Sequence, residues 1–297
     1  MKAPFLSPRG LAVVATLGSL ASLCLGSSYA KTLFPQLGAN GTTAMRLAFG
    51  AAVLVLLFRP WRSSLSRQAA GNIVLYGLVL GAMNLLFYQA IARIPLGLAI
   101  AVEFTGPLAL AIASSRRPSD FLWVGLAVLG LGLLLPIHPG ATSLDPVGIA
   151  YALAAAICWA LYILAGQRLG NVPSGQAAAL GMLVAAILAF PLGAAPAGAA
   201  LGNPGLLLAG LAVGVLSSAI PYSLEMFALK RLPKHTFSIL LSLEPALGAL
   251  IALFMLGEAL APLEWGAIAC VVAASAGSTL GMTQAPTTPR TESGAQA

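Results

Sequence analysis

Three carboxylates and one guanidinium stand inside long apolar runs of this chain. They are Glu103 in A-I-A-V-E-F-T-G-P, Glu225 in P-Y-S-L-E-M, Glu244 in S-L-E-P-A-L and Arg46 in T-T-A-M-R-L-A-F. An ionisable group in the middle of a membrane span costs ~2.5–3.5 kcal/mol on insertion scales, so such residues usually face a cavity or a partner. Embedded carboxylates suit proton carriage, because desolvation disfavours the charged form and a nearby cation favours it. A carboxylate also accepts from an ammonium, and a guanidinium or a backbone N–H donates to a carboxylate. Four such groups can therefore hold a zwitterion and a proton. The competing reading is structural: each carboxylate ties neighbouring helices, and Arg46, one to two turns inside its span, snorkels to the outer interface.

The carboxylates sit beside prolines. Pro107 follows Glu103 by one helical turn and cannot donate to the carbonyl four residues back, so the backbone of Glu103 is freed as a second acceptor. Pro245 follows Glu244 directly, and Pro221 frees the carbonyl of Ser217 and is expected to kink its helix. The unit recurs: Arg93-Ile94-Pro95 precedes Pro107 at the separation at which Arg231-Leu232-Pro233 precedes Pro245. The copies are not in strict register, since aligning the prolines sets Gly106 opposite Glu244 and Leu241 opposite Glu103.

Polar stripes accompany these groups. Ser218, Tyr222 and Glu225 share one face by i, i+4, i+7 spacing, as do Gly81, Asn84 and Tyr88, and the proline alignment sets Asn84 opposite Tyr222. Both stripes are expected to line one cavity, with Trp159, Tyr162 and Tyr29 shaping it or serving as interfacial and core aromatics. Gly77-x-x-x-Gly81, Gly210-x-x-x-Gly214 and Gly277-x-x-x-Gly281 read as close helix packing. His138 and His235 fall in loops.

The elements that must carry these residues are membrane spans. The chain of 297 residues is 59% hydrophobic and 8% charged, with a mean hydropathy of +0.94, whereas soluble domains carry roughly 25% charged residues. At about 30 residues per span and loop there is room for about ten spans and no soluble domain. The spans are expected near residues 11–30, 42–58, 73–91, 96–114, 121–137, 146–164, 177–192, 206–229, 236–256 and 263–282. The expected fold is an all-α integral membrane protein of ten transmembrane helices. Residues 283–297 form a polar tail expected to be disordered and cytoplasmic.

The net charge of +7 reflects topology and not nucleic acid, because Lys and Arg sit singly in short loops and concentrate on the cytoplasmic side. With both termini inside, only Lys31 and Arg93 fall outside. Five spans separate the two proline units, so residues 1–140 and 141–282 form two five-helix halves of opposite sense. That construction in secondary transporters puts the substrate near the midplane.

Other chemistry is not encoded. Cys24, Cys158 and Cys270 lie singly in different apolar runs, with no C-x-x-C spacing, so neither a metal nor a disulfide is expected. There is no G-x-x-x-x-G-K-[ST], H-E-x-x-H or G-x-S-x-G, which argues against ATP binding in that manner and against these enzyme classes. No cofactor and no ATPase subunit are implied.

The segments A-V-E-F-T-G-P-L-A (101–109), S-S-R-R-P-S-D-F (114–121), C-W-A-L-Y-I-L-A-G-Q-R (158–168), P-Y-S-L-E-M (221–226) and S-L-E-P-A-L (242–247) resemble the bacterial inner-membrane threonine/homoserine exporters. These belong to the EamA-type branch of the drug/metabolite transporter superfamily, and the likeness covers nearly the whole chain apart from the tail. It implies ten helices in two inverted repeats, and export of threonine, homoserine and similar amino acids driven by protons. It marks Glu103, Glu225 and Glu244 as motif positions and favours a functional Arg46, since the superfamily often has an arginine in its second span. The expected partners are a small amino acid, protons and the lipid bilayer. The alternative is a transporter of the same fold for a nucleobase, an amine or a drug.

Overall fold

The computed structural model describes residues 8–62, 64–113, 120–134, 144–229, 231–232 and 234–283. The basic segment at Arg116 and Arg117, His138, Lys2, Lys230, Pro233 and the tail with Arg290 lie outside these residues. Most described residues are helical, and none lies in a strand. The helices are α1 (Pro8–Thr32), α2 (Phe34–Phe58), α3 (Arg67–Ile91), α4 (Leu96–Glu103), α5 (Thr105–Ala113), α6 (Asp120–Leu134) and α7 (Pro146–Gln167). They continue with α8 (Ser174–Ala197), α9 (Pro204–Gly214), a π-helical segment (Val215–Ala219), α10 (Ile220–Leu229), α11 (Lys234–Leu241), α12 (Glu244–Leu256) and α13 (Pro262–Thr283). Seven helical stretches among the described residues are long and apolar enough to cross a membrane, and three shorter apolar ones are Leu96–Leu110, Phe121–Leu133 and Pro262–Gly277.

Local chemistry sets the helix ends. Ser66, Asp145 and Asn203 each accept a backbone N–H from the first turn of α3, α7 and α9. Asp145 is held below the usual carboxylate range by the Val147 N–H and by the Arg93 guanidinium 3.1 Å away. The start of α2 departs from expectation, at Phe34 instead of residue 42. Pro35 sits in the first turn, where a missing N–H costs nothing, and the helix continues through Gly38, whose φ of 68° and ψ of 167° make a kink that a side chain would resist. Arg46 lies about two turns beyond that kink, at 3.6 residues per turn, and is buried within the bundle.

Both proline units break. α4 ends at Glu103, four residues before Pro107, and α11 ends at Leu241, four residues before Pro245. In each copy the last residue before the break is the one whose carbonyl the proline cannot serve. Hydroxyls cap the exposed ends: Thr105 donates to the Val102 carbonyl and Ser242 to the Ile239 carbonyl, both at 2.6 Å. Because the copies are out of register by the separation noted above, Glu103 closes the first half of one broken helix and Glu244 opens the second half of the other.

The broken helices pack on each other. A Cβ on Gly97 would lie 2.4 Å from the Ala249 Cβ, and one on Gly248 would lie 2.4 Å from the Ile100 Cδ1, so α4 and α12 touch nearly backbone to backbone. Gly97→Ala is expected to destabilise the protein by about 1–3 kcal/mol through overpacking, and a second change, Ala249→Gly, should recover part of the loss. Thermal unfolding in detergent measures both, and a Gly97→Ala protein as stable as the parent contradicts the close crossing.

Elsewhere α2 packs along α8, α3 on α7 and α8, and α13 on α6. The pair Gly77 and Gly81 meets Val184 and Ala185 of α8, and Gly210 and Gly214 meet α2 at Met45 and Phe49, which is the packing role their spacing suggested. At one end of the bundle Lys31 bridges to Glu258 at 2.5 Å and to the Ile94 carbonyl at 3.1 Å. The other oxygen of Glu258 accepts the Leu96 N–H at 2.7 Å and so caps α4, whose own N-cap, Pro95, makes no side-chain bond.

Candidate functional site

Between the broken helices and α1, α2, α3, α7, α8 and α10 lies a cavity of about 260 Å³. All four embedded charges reach it: Arg46, Glu103, Glu225 and Glu244 line its wall.

Arg46 is 7% exposed and does not snorkel. Its guanidinium is held from three sides. Nε donates to the Ser217 Oγ at 2.7 Å, Nη2 to the Ser217 carbonyl at 3.2 Å, and Nη1 to the Asn84 Oδ1. Each acceptor is itself fixed. Asn84 donates from Nδ2 to the Leu80 carbonyl at 2.8 Å, which turns its oxygen toward Arg46, and the Ser217 hydroxyl donates to the Val213 carbonyl at 2.5 Å. The Ser217 carbonyl lies in the π-helical segment just before Pro221 and anchors a charge carried on another helix. The Tyr88 ring carries the guanidinium on its face, 5.3 Å from the centroid. Of the five N–H groups of an arginine, one on each terminal nitrogen is not taken up by these three bonds. A guanidinium on a cavity wall is suited to a carboxylate.

Glu103 and Glu244 are both buried on the cavity wall, within electrostatic reach of each other, and Glu103 also feels Arg46. Glu225 lines the same wall from α10, where the Ser19 hydroxyl lies 2.9 Å from its Oε1 and 3.3 Å from the Pro221 carbonyl. Trp159 meets Phe104 edge to face, with centroids 5.4 Å apart. Tyr162 stacks on Tyr76 at 4.6 Å with the two hydroxyls 2.6 Å apart, and the Tyr222 hydroxyl stands next to that of Tyr162.

Most of the expected positions converge here: Arg46, Asn84, Glu103, Trp159, Tyr162, Pro221, Tyr222, Glu225 and Glu244 all line the cavity. Others stand back. Tyr88 is fully buried behind Arg46 as its support, Tyr29 packs on the main apolar cluster, and Gly81 faces α8. Pro107 and Pro245 act through the backbone breaks. In place of Ser218 the cavity takes Ser217, because the π-helical segment adds one residue per turn and rotates everything before it relative to Tyr222 and Glu225. The i, i+4 stripe becomes i, i+5.

Several wall residues were not singled out as site residues from the sequence. Leu23, Cys24 and Ser27 of α1 line the cavity, as do Met83, Phe87, Ile100, Met182 and Leu241. The serines carried a usable signal, because Ser19 and Ser27 stand at i and i+8, on one face of α1. The apolar residues carried none. No cluster of metal-ligating side chains occurs among the described residues.

The EamA-like transporter family model matches residues 146–280. The threonine/homoserine exporter RhtA of Escherichia coli (strain K12) is 50% identical over 92% of this chain and 92% of its own. The RhtA of Salmonella typhimurium (strain SL1344) is 50% identical over 94% and 95%. The uncharacterised inner membrane transporter YedA of Escherichia coli (strain K12) is 27% identical over 73% of this chain and 74% of its own. A solved crystal structure aligns with a TM-score of 0.61 over 93% of this chain and 99% of that chain at 22% identity, which bears on the fold alone. With half its residues shared along almost its whole length, the chain belongs to the EamA-like transporter family and is a transporter, not an enzyme.

Proposed function

We propose that this protein exports threonine, homoserine and similar small neutral amino acids across the bacterial inner membrane in exchange for protons. The observation that carries the reading is the convergence of one guanidinium and three carboxylates on one small cavity between two broken helices, in a chain half identical to exporters named for threonine and homoserine. At about 260 Å³ the cavity is smaller than the ~300–1,000 Å³ typical of drug-sized sites. That favours a small solute over a drug.

Arg46 receives the substrate carboxylate through its two remaining N–H groups. Glu103 receives the ammonium, with its freed carbonyl and the carbonyl end of α4 adding partial negative charge. Glu244 carries the coupling proton. Charge balance links the two cargoes: three carboxylates face one guanidinium, and a buried charge without compensation is costly. A proton supplies part of that compensation when the cavity is empty, and the ammonium supplies it when the substrate is bound. Proton and amino acid thereby compete for one cavity, as exchange requires.

Ten spans in two inverted halves, 1–140 and 141–282, fit this mechanism, with both termini cytoplasmic. Seven long apolar helical stretches and three shorter ones among the described residues leave room for that number. A reporter fused after the tail should read the cytoplasm and one fused at Gly140 the periplasm; the reverse at both sites would invert this topology.

The test of function is counterflow in proteoliposomes: labelled threonine should enter vesicles preloaded with unlabelled threonine or homoserine. Vesicles that exchange neither reject the reading. Glu103→Gln, which keeps shape and removes charge, should weaken half-saturation for threonine by at least about tenfold, since hydrogen bonds to charged groups contribute ~1.5–3 kcal/mol. An unchanged value in the stable variant removes Glu103 from the ammonium site.

A further inference from the structure

The three tyrosines at one end of the cavity have a direction. Tyr76 does not line the cavity, yet its hydroxyl is 2.6 Å from that of Tyr162, against which it stacks. With Tyr76 donating, the Tyr162 oxygen is occupied as an acceptor, and its own proton turns to the neighbouring Tyr222 oxygen. The Tyr222 proton then ends the chain, inside the cavity, in the electrostatic reach of Arg46 and Glu225. Glu225 is engaged differently: its Oε1 accepts from Ser19 at 2.9 Å, Oε2 takes no part in that bond, and the residue lines the cavity. Tyr222 and Glu225 thus line the same space.

We propose that Tyr222 and Glu225 read the side-chain hydroxyl of the amino acid, with Tyr76 and Tyr162 orienting the Tyr222 proton. A hydroxyl both donates and accepts, so it takes the Tyr222 proton and gives its own to Glu225. A methyl group of the same size does neither and leaves both partners unpaired. Sites built to bond a hydroxyl reject the analogue lacking it much more strongly than apolar pockets reject an added one. The site is thereby matched to hydroxyl-bearing amino acids within the wider class of small neutral ones. This deepens the proposed function and rests on it.

The experiment uses isosteric pairs in the same counterflow assay: threonine against valine, and homoserine against norvaline, each as competitor for labelled threonine. The parent protein should prefer the hydroxyl member of both pairs by at least about tenfold. Tyr222→Phe should reduce that preference by about three- to tenfold, the range for one neutral hydrogen bond, chiefly by weakening the hydroxyl member. Tyr76→Phe, which leaves the wall untouched, should reduce it in the same direction by less, and supplies the reading if Tyr222→Phe does not fold. A parent that exchanges threonine yet shows no hydroxyl preference, or Phe variants that keep the full preference, overturn this inference and leave the exporter reading standing. A parent that exchanges no amino acid overturns both.

Discussion

Exchanging Arg46 for lysine is expected to remove nearly all amino-acid transport, although the cavity keeps its positive charge. Lysine offers a point charge on three rotating N–H donors, whereas the native guanidinium is a planar fork with three of its five N–H groups locked to Ser217 and Asn84. An ammonium cannot hold those acceptors and still present two parallel donors to a substrate carboxylate. Loss of one or two charge-assisted bonds, at ~1.5–3 kcal/mol each, predicts at least a tenfold to hundredfold rise in half-saturation for threonine in counterflow. Arg46→Ala should behave differently. It strands the Ser217 carbonyl and Asn84, removes the cation facing three carboxylates, and should cost about 3–5 kcal/mol of stability, as broken buried ion networks do. A lysine variant that exchanges threonine with native affinity would show that the guanidinium is a structural tie and not the carboxylate site.

Glu244→Gln is expected to separate exchange from coupling. The side chain opens α12 directly before Pro245, buried on the cavity wall and close to Glu225 and Glu103. Glutamine fills the same space and cannot change its protonation. Threonine uptake driven by an imposed pH gradient in inverted vesicles should fall to background, while threonine-for-threonine exchange, which requires no change in protonation, survives. Full gradient-driven uptake in this variant would take the proton from Glu244 and pass it to Glu103 or Glu225.

Much of this site was legible because expensive residues in an apolar sequence announce themselves. Glu103, Glu225, Glu244 and Arg46 stand out against long apolar runs, and the prolines beside them mark where backbone is interrupted. The prolines mark the breaks beside α4 and α12, which meet at Gly97 and Ala249. What was not legible depends on helix geometry that no residue type signals. The π-helical segment replaces Ser218 by Ser217, and no pattern in Val215–Ala219 distinguishes it from ordinary helix. The expected span began at residue 42 and left Arg46 between a functional and a snorkelling role, whereas its guanidinium is buried and bonded inside the bundle. Tyr88 shared a stripe with Asn84 and nevertheless lies behind the charge it supports, because facing the same side of α3 does not decide which residue meets the wall and which meets a neighbour.

The central claim is that proton and amino acid compete for one cavity, and the most direct measurement is proton release on substrate binding. Threonine added to the purified protein in lightly buffered detergent should acidify the solution, in proportion to occupancy and saturating with the binding curve. Glu244→Gln should bind threonine and release fewer protons. Binding of threonine with no proton release from the parent protein, or with the same release from Glu244→Gln, would contradict the exchange mechanism.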